Sequence, residues 1–194
     1  YCIVFEATEA PTDYVKSRKT GLHTKHVFQK LDSDGLLKLL DGIVHMDALT
    51  DIDQGGTVCP ILSAAEDPEP RANVVPDFAQ IGIEVHSTDL HDWYQRCDQF
   101  FEIMKRPLNA EEKTIFRLDA EDHHRVVYTY GIIGKKAHAG NNLHEGVNAW
   151  VQLAKHVAAL KTWLKKYPAH QLKVTGISRV KGLSTNACLQ LDQR

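Results

Sequence analysis

Residues 134–149, Gly-Lys-Lys-Ala-His-Ala-Gly-Asn-Asn-Leu-His-Glu-Gly-Val-Asn-Ala, decide how the chain is read. Upstream of them, residues 125–135 are rich in valine, tyrosine and isoleucine and predict a strand. Downstream, Val147, Trp150, Val151, Ala154, Val157, Ala158 and Leu164 recur at helical spacing, which predicts a long helix with one apolar face, closed by Pro168. Glu145 lies at its N-terminal end and Lys161, Lys165 and Lys166 at its C-terminal end, as the helix dipole prefers. Between strand and helix, His138 has small neighbours and sits on a turn with Gly134 and Gly140, a pattern that predicts an exposed loop with close backbone approach. An imidazole so placed can donate a hydrogen bond to an oxygen that gains negative charge.

Working outward, residues 1–6 form an apolar run that reads as a buried strand, and 7–21 are polar, with Pro11 and a basic run, and read as a connection. A short strand is expected over 23–29. Leu36, Leu39, Leu40, Ile43 and Val44 predict a helix, with Ser33 or Asp34 as its cap. Residues 57–65 read as a strand, 66–72 as a loop broken by Pro68 and Pro70, and 78–86 as a strand. After Ser87, Thr88 and Asp89, the stripe Leu90, Trp93, Tyr94, Cys97, Phe100, Phe101 and Met104 predicts a strongly amphipathic helix ending near Pro107. Further strands are expected over 114–118, 172–180 and 187–192.

The two halves can be laid over each other as text. Asp34-Gly35 opens the first helix and Glu145-Gly146 the second. Asn73 follows Gly35 by 38 residues and Asn186 follows Gly146 by 40, and each asparagine follows a loop and precedes a strand. This reads as a diverged tandem duplication. The expected organisation is 1–21 as an entry strand and connection, 22–106 as a first unit and 107–194 as a second. The expected fold class is α+β, each unit a ferredoxin-like antiparallel sheet with helices on one face.

Three segments carry a family resemblance. Gly134-Lys-Lys-Ala-His138-Ala-Gly140 with Glu145-Gly146-Val-Asn148-Ala149 resembles the His-Ala-Gly signature in the lid of certain zinc exopeptidases. These include glutamate carboxypeptidase, succinyl-diaminopimelate desuccinylase, acetylornithine deacetylase and aminoacylase. Asn73-Val-Val-Pro76-Asp77 is similar to the turn before a lid strand, with Thr185-Asn186-Ala187 as its counterpart, leading to Leu191-Asp192-Gln193-Arg194. Val4-Phe5-Glu6 resembles the segment where such a chain leaves its catalytic domain. The match covers most of the chain, although residues 107–124 have no counterpart in it.

The resemblance implies a substrate-capping and dimerisation domain of a hydrolase that cleaves peptide or N-acyl amino acid bonds, a metallopeptidase of carboxypeptidase type. It implies His138 as the catalytic residue, reaching from one lid into the site of another. Asn186 and Arg194 would bind the substrate carboxylate, a task that suits the planar fork of arginine. Glu6 matches a family position that ligates one of two bridged zinc ions. A single carboxylate is not a zinc site, so the zinc belongs to the parent enzyme and none is expected on this chain. The partners implied are its own catalytic domain, the substrate and a second copy joined through the second lid unit. The first half lacks a His-Ala-Gly loop and has His86 where the second has Arg194, so the second half reads as the working copy. His123 and His124, beside Glu121 and Asp122, read as a polar turn rather than a metal site.

Two other readings stand beside this one: a non-catalytic binding or assembly module that keeps the lid fold, and a small ferredoxin-like ligand-binding domain. A net charge of −2 gives no basic footprint for nucleic acid. No apolar run approaches the roughly 18 to 20 residues of a membrane span. The four cysteines Cys2, Cys59, Cys97 and Cys188 are widely spaced and read as unpaired thiols, a pattern that leans toward the cytoplasm.

Overall fold

Three helices are set by local signals that the chain spells out at their starts. The computed structural model describes residues 2–4, 21–49, 58–68, 74–138, 143–178 and 182–193. Helix α1 (Ser33–Ala48) begins one residue earlier than its pattern, because Asp32 is the cap and its carboxylate accepts the Gly35 N–H at 2.8 Å. Helix α2 (Leu90–Lys105) is capped by Asp89, which accepts from the Asp92 N–H at 2.9 Å. Helix α3 (Ala149–Leu164) is capped by Asn148, and Glu145 instead ends a short 3-10 turn (Leu143–Glu145). The glycine pair read as parallel helix starts therefore differs: Gly35 lies inside α1, while Gly146 lies before α3.

The strands among the described residues are β1 (Cys2–Val4), β2 (Gly21–Phe28), β3 (Val58–Ala64), β4 (Phe78–Ser87), β5 (Lys113–Glu121), β6 (Arg125–Ile133), β7 (His170–Ser178), β8 (Leu183–Ser184) and β9 (Ala187–Gln193). They form two sheets, β1-β2-β9-β3 and β5-β6-β4-β7-β8, and every pairing is antiparallel. The fold is α+β. The run β4-α2-β5-β6-α3-β7 is a split β-α-β unit of ferredoxin-like order. Its inner face carries Ile81, Ile83 and Val85 from β4 and Tyr128, Tyr130 and Ile132 from β6, all buried. Trp93, Phe100 and Met104 of α2 and the apolar face of α3 share one core with them. Residues 107–124, which have no counterpart in the family resemblance, supply β5 and the turn before it.

The two halves exchange strands. β4, from residues 22–106, lies between β6 and β7 of the second half. β9, from residues 107–194, lies between β2 and β3 of the first. The expected boundary between 106 and 107 thus divides neither the hydrogen bonding nor the core, which takes residues from both sheets. Where the sheets approach each other, β3 runs beside β7 and α1 packs on α3. None of the helices among the described residues is long and apolar enough to cross a membrane.

Candidate functional site

The strand before the histidine motif ends at a glycine because no side chain fits there. A Cβ on Gly134 would lie 2.1 Å from the Val147 carbonyl oxygen, and one on Gly146 would lie 2.8 Å from the Ala137 Cβ. With both side chains missing, three extended segments close on one another. Gly134 N–H donates to the Asp77 carbonyl at 2.8 Å, and Val75 N–H donates to the Ala137 carbonyl at 2.9 Å. Lys135 and Val147 exchange two backbone bonds of 3.0 and 2.9 Å, and Ala149 N–H donates to the Pro76 carbonyl at 2.8 Å. Val74 and His138 face each other as an antiparallel bridge. The motif residues Gly134, Ala137, Gly146 and Asn148 are thus those that the joint requires, and His138 is carried at its end, partly exposed.

Asn148 locks the joint to the other sheet. Its Oδ1 accepts the Trp150 and Val151 N–H groups at 3.0 and 3.3 Å, and its Nδ2 donates to the Pro60 carbonyl on β3 at 2.8 Å. Behind it, Cys59, Ile61 and Val75 form a small buried cluster against Ala137. In front, a cleft of about 640 Å³ opens between β3, the 74–78 segment and the end of β7. Leu62 and Trp150 lie at its buried side, Phe78 at its exposed side, and Lys136 pairs with Asp77 at 3.3 Å.

The other residues named from sequence are distributed as follows. Asn186 stands at the start of β9, on the sheet that does not contain β6. Its Oδ1 accepts the Lys30 N–H at 2.8 Å and its Nδ2 donates to Glu66, so both ends of its amide meet protein partners. Lys30 has the positive φ of 51° that this turn into α1 demands. Glu6, Asn73 and Arg194 lie outside the described residues. Among the described residues, no three histidine, cysteine, aspartate or glutamate side chains are grouped to hold a metal ion. His86 contacts Glu84 at 2.8 Å on the outer face of β4. His123 and His124 lie in the turn before β6, where Asp122 accepts the N–H groups of His124 and Arg125, each at 3.0 Å.

Two polar groupings have no counterpart in the sequence reading. Ser87 Oγ lies 2.8 Å from His170 Nδ1, and His170 Nε2 lies 2.9 Å from Asp92, which Arg96 also holds through two bonds. The Arg96 guanidinium, then His170, keep the Asp92 carboxyl below its usual range. Serine, imidazole and carboxylate in a row are the order of a hydrolytic relay. Here the serine is buried and accepts the Asp89 N–H at 3.0 Å, so the row ties the ends of β4, α2 and β7 together.

The second grouping lies inside the core. His156 Nε2 and Glu112 Oε1 are 2.7 Å apart, fully buried and poorly aligned for a hydrogen bond. Tyr130 donates to the Met104 carbonyl at 2.9 Å and stands 2.9 Å from His156 Nδ1. Burial outweighs the nearby carboxylate and holds the imidazole below its ordinary pKa. The sequence offers one signal for it: His156 lies three and four residues from Leu153 and Leu160, which places it on the buried face of its helix.

Comparison with family models, with curated proteins and with solved structures yields no match.

Proposed function

We propose that this chain is the lid of a zinc-dependent exopeptidase or amidohydrolase that cleaves peptide or N-acyl amino acid bonds. The observation that carries the reading is the joint at which the Val74–Asp77 segment meets the His138 turn and the Asn148 cap, which lie far along the chain from it. Two further features support it. α1 and α3 pack together and β3 runs beside β7, so the two sheets stand side by side as paired lids do in the resembled family. The exchange of β9 puts Asn186 on one sheet and the His138 turn beyond a strand of the other, so one chain could supply both halves of a shared site.

In this role His138 donates to the oxygen that gains charge as the amide carbonyl is attacked. Zinc, held by the catalytic domain, supplies an activated water. The lid orients the substrate, excludes water and presents the imidazole. Its partners are that catalytic domain and the substrate.

The test starts from the reading frame flanking Tyr1 and Arg194. An H-x-D segment upstream and a late histidine downstream, with zinc-dependent hydrolysis of N-acyl amino acids by the encoded protein, would support the reading. His138→Ala in that protein should lower kcat by about 10²- to 10³-fold with little change in KM. Flanks without metal ligands would sink it. They would favour instead a binding module that keeps the lid fold, a reading already supported by the full engagement of the Asn186 amide.

A further inference from the structure

Among the described strands four stand at the edges of the two sheets, and three of them offer little to another chain. β1 is three residues long, β8 is two, and β3 carries Pro60. The fourth, β5, runs nine residues without a proline and, among the described residues, pairs with β6 alone. Residues 74–138 are described without a break, and they hold α2, β5, β6 and the turns between them. The irregularity in β5 is a bulge between Leu118 and Ala120, so Lys113 to Leu118 keep a regular edge.

The side chains along this edge are largely apolar. Ile115 is 41% and Leu118 54% exposed, on opposite faces of the strand. On the helix side, the Phe116 ring lies 5.1 Å from that of Phe101 in α2, and Lys105 covers Phe101. Tyr94, 46% exposed, closes the other end of this seam by donating to Glu121. On the outer face Asp119 is held by Arg117 and by Thr129. The seam between α2 and β5 is therefore basic at its Lys105 and Lys113 end and acidic at its Asp119 and Glu121 end.

We propose that β5 pairs antiparallel with β5 of a second copy of this chain, across a twofold axis at Phe116. The twofold reverses the seam, so the basic end of each copy meets the acidic end of the other. Charge also chooses the register, because like charges directly opposite are destabilising. Pairing centred on Ile115 would set Lys113 of one copy against Arg117 of the other. Pairing centred on Arg117 would set the two Arg117 side chains against each other. Centred on Phe116, Lys113 of each copy faces Asp119 of the other, and Ile115 lies along the aliphatic arm of Arg117. This dimer does not rest on the lid reading, in which the two sheets of one chain meet where β3 runs beside β7, away from β5. An edge of this length covers less than a standard interface of roughly 1,600 Å², so the dimer should be weak, with Kd on the order of 100 µM.

The experiment is sedimentation equilibrium of the intact chain from about 10 µM to about 1 mM, at low salt. The expected result is a mass that rises from one chain toward two. Lys113→Glu and Asp119→Lys should each weaken the dimer by about tenfold, since either change sets two pairs of like charges opposite each other. An equimolar mixture of the two variants should recover the parent affinity to within about threefold, because in the mixed dimer every charge at these positions faces its opposite. Both substitutions are exposed, and a cooperative melt with the parent's far-ultraviolet spectrum will show that each variant is folded. A chain that stays monomeric leaves the edge to a partner of another kind and overturns the proposal. So does a dimer that neither variant weakens, or a loss that mixing does not rescue.

Discussion

Asn148 Nδ2 donates to the carbonyl of Pro60 at 2.8 Å, linking the cap of α3 to an outer strand of the other sheet. Pro60 has no N–H of its own and its carbonyl is taken, which blunts β3 as an edge on which another chain could pair. Asn148→Ala removes the cap and the cross-sheet bond together and should cost about 2 to 3 kcal/mol of stability. Asn148→Asp keeps the cap acceptor and loses only the donor, so it should fall between the two. Urea unfolding of the three proteins checks the order. If Asp is as costly as Ala, the cap is not the main contribution.

Gly134 and Gly42 make an opposed pair. A Cβ on Gly134 meets the backbone oxygen of Val147, which cannot move without opening the joint, whereas one on Gly42 in α1 meets nothing within 4 Å. Gly134→Ala should destabilise by about 2 kcal/mol or more, and Gly42→Ala should stabilise by about 0.5 to 1 kcal/mol through helix propensity. Thermal unfolding reads both signs. Hydrogen exchange at Val75 and Lys135, whose N–H groups bond across the joint, should accelerate in the first variant alone.

Much of this was legible from the residues, element by element. Periodicity located the three helices and the main strands because each buries one face, and that face repeats at 3.6 or 2 residues. The joint was half legible: Gly134 and Gly140 around His138 announced close backbone approach, but the partner segment at Val74 to Asp77 lies about sixty residues away, and no local pattern reports such a pairing. Asn186 was read for its amide as a ligand for substrate, while Lys30 and Glu66, its partners, could not be inferred from composition. The strand exchange was invisible for a related reason. β4 and β9 carry the same kind of alternating pattern, and alternation specifies which face is buried, not which neighbour is paired.

The buried imidazole gives the chain an acid-sensitive core. Among the described residues, Glu112, Tyr130 and backbone carbonyls of α2 face His156, and burial keeps its pKa below the ordinary value of 6.5. The unfolded chain therefore binds a proton more readily than the folded one once the pH falls below about 6.5. Stability is fully present above that value and is lost as the pH falls from it toward the folded-state pKa. The melting temperature should thus drop between pH 7 and pH 5.5. His156→Gln should be less stable at pH 7 by about 1 to 3 kcal/mol, since it disturbs a buried polar contact, but its stability should vary less over that interval. An unchanged slope in the variant would assign the acid sensitivity to other groups.

The exchange of strands predicts how the chain behaves when divided. Residues 1–106 alone keep β4 and α2 but lack β6 and β7, the neighbours on either side of β4, and α3, which shares their core. Residues 107–194 alone keep β9 but lack both strands that flank it. Each half would expose a hydrophobic face and unpaired backbone groups, a cost that no 90- to 110-residue piece with an incomplete core can offset. Neither half should show a cooperative thermal transition, and both should bind a hydrophobic dye. Mixed at equal amounts from denaturant, they should regain the far-ultraviolet spectrum and one cooperative transition, because all the interleaved contacts can re-form between two chains. Independent folding of either half would mean that its strands pair within the half, and would refute the exchange.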